Sequence, residues 1–407
     1  MSVLAKFDNS KLLFLEYFSL CFMLISLPTF EAPKNIFLIL FVTFATFRQI
    51  INLRVWKAWD WVFFAYILSA FLSTIFAGIS PGDEWKGFRV LLTFICSGWL
   101  ISRSNYSKKQ IIWLFWIAIL SVVPPLFWGL YEFLISHSKS GLQLHSVGHQ
   151  NHSAIYLSII FGACSGALIS CLPSTNQLKK VLLSILTLFL LGGIIVGESR
   201  IALGISFLIF IIFSFVQKDK YFKYHLFFLI LLAVVSIGIT KPAVIQKQYS
   251  NQKNNNILAG RQEIWNTTIE AAKLYPLFGI GIDNRANITE DQIKASVEKH
   301  GQIYNPINYD FHFKHAHNFY LTQIAEKGLI GASVVLFFIL YWIRTLINSF
   351  CTTRNSEYAR CLWYGSFSAW LTSFGIGFFN TTFHHEHGIL ACFFLGLHLA
   401  YLNKNTT

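Results

Sequence analysis

Charge is scarce in this sequence: 13% of its 407 residues are Asp, Glu, Lys or Arg, against 54% hydrophobic and 17% aromatic. So little polar material cannot clothe an ordinary soluble domain. The signatures of several chemistries are missing too. There is no GxxxxGKS or GxxxxGKT phosphate loop, which removes nucleotide-driven work, and no HExxH, the commonest zinc-hydrolase pattern. The seven cysteines, Cys21, Cys96, Cys164, Cys171, Cys351, Cys361 and Cys392, follow no metal-ligand spacing and read as small buried apolar side chains. No repeat of about 20 to 50 residues and no low-complexity tract is evident. A cleavable signal peptide is not expected, because the first apolar run, from Leu12, is too long for a signal core and lacks a small-residue cleavage site.

What is abundant is apolar sequence in runs of membrane-crossing length, about 17 to 25 residues. The runs lie at 11–29, 35–51, 59–79, 87–103, 110–135, 153–172, 178–197, 200–216, 224–240, 318–344, 361–380 and 388–403. In lipid each must be helical, because every backbone polar group needs an internal partner. The expected fold is all-α: a polytopic integral membrane protein of about 12 transmembrane helices, forming a single membrane domain over residues 1–407. Pro124-Pro125 is expected to kink the fifth run.

Alternate connections carry the basic residues: Arg48, Arg54 and Lys57; Arg103, Lys108 and Lys109; Lys179 and Lys180; Lys218, Lys220 and Lys223; Arg344, Arg354 and Arg360. The positive-inside rule turns these toward the cytoplasm, with both termini. Few acids are expected to accompany them, and the formal charge of +13 follows from that sidedness. Nucleic-acid binding is not implied; membrane lipids are the expected surroundings.

The one long polar stretch, residues 241–317, joins the ninth and tenth runs on the opposite, outer side. A loop of that length is where chemistry is expected. Of the thirteen histidines, all but His225 and His398 fall on this outer side. Imidazole titrates near neutrality, so their gathering suggests acid-base or anion chemistry. Metal binding competes, through His384, His385 and His387 or through His312, His315 and His317, but neither set has helical ligand spacing with a glutamate; no metal is expected, and the 384–387 group reads as ordinary interfacial histidines.

Two arginines stand out. Arg200, in Gly197-Glu198-Ser199-Arg200, sits in a connection so short that its guanidinium must lie at the membrane face. It is either a snorkelling side chain, a partner of Glu198, or a clamp whose planar fork grips phosphate oxygens. Arg261 follows Gly260 and opens RQEIWNTTIEAAKLY, where Ile264, Trp265, Ile269 and Ala272 recur at helical spacing; this reads as a short amphipathic helix on the outer membrane face. At that N-terminus its charge adds to the helix dipole, a combination suited to phosphate, unless it merely pairs with Glu263. Pro276-Leu277-Phe278-Gly279-Ile280-Gly281 then ends the helix in a turn.

His315 and His317 alternate before the tenth run, and His317, next to Asn318 at the helix start, is the better anchored and the favoured reactive imidazole, with His315 in support. Lys86 and Arg89, one helical turn apart, and Asn151 within His149-Gln150-Asn151-His152 are further substrate-binding candidates beside Trp265; interfacial anchoring is the alternative for the basic pair.

The ordered set SR at a short outer junction, GRxxxW opening a helix, PLFGIG, then HAHNFYLTQIAEKGLIG resembles the O-antigen ligase and O-antigen polymerase superfamily, most specifically over residues 190–340. The resemblance implies a multi-pass enzyme of the bacterial inner membrane with a periplasmic active site and no cofactor. Its substrates would be an undecaprenyl-diphosphate-linked O-antigen and a lipid A-core acceptor. The ligase is the nearer match, and the polymerase that joins repeat units on the carrier is the alternative. Catalytic roles would fall to Arg200 and Arg261 on the diphosphate and to His317 as general base, in a metal-independent transfer. A transporter of the same lipid-linked glycan is the rival from another class; it would place charge at the membrane midplane, whereas these residues collect at the outer face.

Overall fold

The computed structural model describes residues 9–52, 54–171, 176–217, 261–353 and 356–405. Among these residues the secondary structure is helical throughout. The helices are α1 (Asn9–Ser26), α2 (Glu31–Ile51), α3 (Ala58–Ile75), α4 (Glu84–Ser102), α5 (Lys108–Leu120), α6 (Val123–Leu134), α7 (Gln150–Cys171), α8 (Gln177–Val196), α9 (Arg200–Gln217), α10 (Arg261–Leu274), α11 (Glu290–Lys299), α12 (Phe319–Thr353), α13 (Glu357–Ile376) and α14 (His385–Asn405). Every described apolar run coincides with a helix, the fifth being split into α5 and α6 just before Pro124-Pro125. The ninth run, at 224–240, the basic residues Lys218, Lys220, Lys223 and Arg354, and residues 241–260 of the long loop lie outside the described residues.

Seven described stretches are long and apolar enough to cross a membrane: α1, α2, α3, α5 with α6, α7, α8 and α12, with Arg200–Val216 a shorter apolar helix. The chain is a multi-pass membrane protein. The remaining run-derived helices, α4, α13 and α14, are less apolar because they face protein. Helix α13 buries Ser366, Ser368, Thr372 and Ser373, and α14 buries Glu386, His387 and His398. Helix α7 lies at the centre, buried along its length between α8, α9 and α13.

Several basic residues at the end opposite the long loop are paired, contrary to the expectation that acids would be few there. Glu16 of α1 accepts from Arg48 and from the Tyr106 hydroxyl at 2.8 Å. Asp60 of α3 holds Arg103 at 2.7 Å and the Trp99 indole at 2.7 Å. Lys179 meets Glu357. Buried charge is tolerated only with such partners.

At the loop-bearing end, α12 is broken. Gly328 leaves helical geometry at φ 62°, ψ −173°, which strands backbone groups on both sides of the break. The 276–281 turn supplies partners for them. Ile280 and Gly281 donate to the carbonyls of Ala325 (2.8 Å) and Glu326 (3.0 Å), while Leu329 and Ile330 donate to those of Pro276 (2.7 Å) and Leu277 (3.3 Å). The turn's outer edge is taken by the connection after α3, where Gly78 and Ile79 donate to Gly279 (3.0 Å) and Ile280 (3.2 Å). Glycine is required at both crossing points. A Cβ on Gly279 would lie 2.4 Å from the Glu326 carbonyl carbon, and one on Gly328 2.3 Å from that of Leu277. Both residues also have positive φ.

The described part of the long loop has more structure than one amphipathic helix. A second helix, α11, starts with a reciprocal cap between Thr289 and Gln292. It packs with α10 on a small core of Ala271, Ile280, Ile288, Ile293 and Val297. Helix α10 accordingly buries Ile264, Thr267, Thr268 and Ala271, and leaves Ile269 at 40% exposure; its inward face is set by the loop that covers it. Gly328→Ala is expected to lower stability by about 1–3 kcal/mol through strain at that backbone position, more with the carbonyl clash. Thermal unfolding of the detergent-solubilised variant checks this, and an unshifted midpoint would show that the turn and the break are not locked together.

Candidate active site

Local sequence builds each arm of the site. Gly197 closes α8, Glu198 takes a left-handed conformation at φ 52°, and α9 begins at Arg200. Helix α10 begins at Arg261. Each arginine thus stands at a helix N-terminus, where backbone N–H groups point outward and the dipole is positive. The two guanidinium groups lie within electrostatic reach of each other: burial, then the Arg200 charge, lowers the Arg261 pKa. Among the described residues neither forms an ion pair; Glu198 and Glu263 do not neutralise them.

Asn318 fixes the histidine arm. Its side chain caps α12 by accepting from Leu321 N at 3.0 Å and donates to the Phe378 carbonyl at 3.0 Å. Phe319 N donates to the Gly377 carbonyl at 2.7 Å. His317, immediately before this anchor, is held at φ 47°, a conformation a non-glycine residue keeps only where its surroundings impose it. Its ring meets Phe313 edge-on at 5.4 Å and hydrogen-bonds the Asn380 side chain. Burial, with the charges of Arg261 and Arg285, pushes the imidazole below its ordinary pKa, against the Asn380 hydrogen bond. That direction favours the uncharged imidazole, the form with a free nitrogen lone pair.

His315 faces elsewhere. Its ring stacks on His384 at 5.8 Å and, with Asp283 and His384, lines a cavity of about 90 Å3 between α4 and the first turns of α12. Burial lowers its pKa and Asp283 raises it. That volume is far below the few hundred Å3 of a typical small-molecule site. Lys86 lies at the same side, 3.5 Å from Asp83 and 3.7 Å from Asp283, and Arg89 is exposed one turn further along α4. Asn151, in the first turn of α7, donates its backbone N–H to His149 Nδ1 at 3.2 Å, and His149 in turn lies within electrostatic reach of His317. The Trp265 indole donates to the Ala316 carbonyl at 3.0 Å, between the two histidines.

Structure adds residues that sequence reasoning missed. Arg285 is buried and ties α10 to the segment before the histidines, donating to Thr268 Oγ1 (3.0 Å) and to the carbonyls of Ile264 (3.3 Å), Asp310 (3.2 Å) and Phe313. Asn380, in the connection from α13 to α14, orients His317. Neither has a local signal, because both act across long sequence separations. Of the 384–387 histidines, read as interfacial, His385 is exposed and the other two are not. His387 is fully buried and both ring nitrogens of His384 are shielded, because the start of α14 packs against α7 and is tied to α2 by the Lys34–Glu386 ion pair.

Reactivity of His317 toward diethyl pyrocarbonate, followed by peptide mass against pH, reports its pKa. The midpoint is expected below the ordinary value of about 6.5. Arg261→Met removes a charge that disfavours the imidazolium and should move the midpoint up; Asn380→Ala removes a bond that favours it and should move it down. Unchanged midpoints in both would place Arg261 and Asn380 away from the ring.

A protein of Haemophilus influenzae, described as uncharacterised, is 27% identical over 152 residues, covering 32% of this chain and 35% of that protein. The chain thus matches about a third of that relative's length. Residues 185–336, which run from α8 through both arginines and both histidines to the break in α12, match the family described as O-antigen ligase. Over that segment, less than half of its length, the chain is similar to the O-antigen ligase family.

Proposed function

We propose that this protein is an O-antigen ligase: a glycosyltransferase of the bacterial inner membrane that moves a glycan from undecaprenyl diphosphate to a hydroxyl of lipid A-core on the periplasmic side. The observation that carries the reading is the pair Arg200 and Arg261, two cations at two helix N-termini without an ion-pair partner among the described residues, with His317, whose pKa burial and the Arg261 charge lower, close by. Like charges held together without a carboxylate are costly unless an anion joins them. A diphosphate fits that requirement, with oxygens for two guanidinium forks.

In this mechanism a ring nitrogen of His317 takes the proton from the acceptor hydroxyl as its oxygen attacks the anomeric carbon. The bond from that carbon to the diphosphate oxygen breaks in the same displacement, with inversion. Arg200 and Arg261 hold the charge that grows on the leaving diphosphate, and the donor's own phosphoester bond supplies the driving force. None of these steps calls on a metal. Asn380 and Trp265 keep the imidazole aimed, the latter through Ala316. His315 and Asn151 border the sugar path, and Lys86 and Arg89 guide the carrier headgroup toward the clamp.

Loss of the base is expected to slow transfer by about 10²- to 10⁴-fold. A ligase-null Gram-negative host with a matching core, expressing the parent chain, should regain the long lipopolysaccharide ladder, and His317→Ala at equal expression should not. A ladder restored only in a polymerase-null host would assign the chain to polymerisation instead.

A further inference from the structure

A second cluster of histidines lies next to the transfer residues without belonging to them. His152 of α7, His384 just before α14 and His387 in its first turn each bring a ring nitrogen to within 4.8 Å of the other two. Neither contiguous histidine set in the sequence contains this triad, because His152 comes from a distant helix. We propose that His152, His384 and His387 form a binding site for one divalent transition-metal ion of the zinc class.

Three observations carry it. Both ring nitrogens of His384 and Nε2 of His387 are buried without a hydrogen-bond partner among the described residues. Native interiors rarely leave such atoms unsatisfied, and an ion is one of the few groups that would satisfy several at once. The nearest carboxylate does not serve them: Glu386, between His385 and His387, is taken by Lys34. The donor set is also chemically selective, since three neutral imidazoles suit zinc, copper or nickel and not calcium or magnesium.

The geometry is within reach of coordination. Zinc–nitrogen bonds of about 2.0–2.1 Å in a tetrahedron set nitrogens about 3.4 Å apart, and closing from 4.8 Å takes modest ring rotations on a fixed backbone. The backbone N–H of His384 approaches His387 Nδ1 at 3.5 Å, the outer limit of a hydrogen bond, which leaves the His387 tautomer free to adjust. Of the three, His384 also lines the cavity beside His315. The ion would fasten α7 to the start of α14 and to the connection that bears Asn380. It lies outside the reacting set, so this inference does not depend on the transfer reading.

The test uses the full chain in detergent with any polyhistidine tag removed, stripped by chelator and then titrated with zinc, and with cobalt(II) as a spectroscopic probe. About one ion per chain should remain after gel filtration, cobalt should give the intense visible bands of a tetrahedral site, and the unfolding midpoint should rise with metal. His152→Gln and His384→Gln should lose the ion, while His312→Gln, on an exposed loop, and Arg200→Ala, in the transfer set, should keep it. Failure of the wild-type chain to bind either ion saturably overturns the proposal whatever the variants do. So does retention of full stoichiometry in both triad variants.

Discussion

Everything at the loop-bearing end depends on one interlock. Helix α12 breaks at Gly328, and the 276–281 turn pairs with the carbonyls and N–H groups that the break releases. Within a membrane those groups have no water to turn to, so the break is tolerable only while the turn is docked. The docking fixes where α10 ends and where the chain re-enters α12. It therefore fixes how Arg261, ahead of the turn, and His317, ahead of the break, meet. The PLFGIG and EKGLIG segments, which look like separate glycine-rich turns, are two halves of one joint.

On that joint sits a charge problem. Two helix N-termini bring two arginines within electrostatic reach of each other, and burial together with the charges of Arg261 and Arg285 lowers the pKa of the nearby imidazole. On the proposed reading, one arrangement prepares both an anion site and a proton acceptor. Arg285, buried under α10, keeps the approach to His315 and His317 in place by bonding to backbone carbonyls, and serves the site without facing it.

Much of this was legible in the sequence, and the line between what was and was not follows sequence separation. Apolar runs gave helices, because length and hydropathy are local properties. Arg200 after a two-helix junction, Arg261 at a helix start and His317 before a capping Asn318 were each readable from neighbours a few residues away. Helix α11 was missed although its Thr289 to Gln292 cap is local, because a short polar helix lacks a strong apolar period. Asn380, Arg285 and the His152, His384 and His387 triad were out of reach, since their partners lie tens to hundreds of positions away. The Glu16–Arg48 and Asp60–Arg103 pairs were hidden for the same reason.

The arginine clamp is the centre of this account, and binding of the spent carrier tests it without requiring turnover. Purified wild-type protein, Arg200→Met and Arg261→Met would be titrated with undecaprenyl diphosphate in the same detergent. Each variant should bind at least about tenfold more weakly, as expected for the loss of charge-assisted bonds worth about 1.5–3 kcal/mol, with a smaller loss for undecaprenyl monophosphate. Wild-type affinity for the diphosphate in both folded variants would contradict the account.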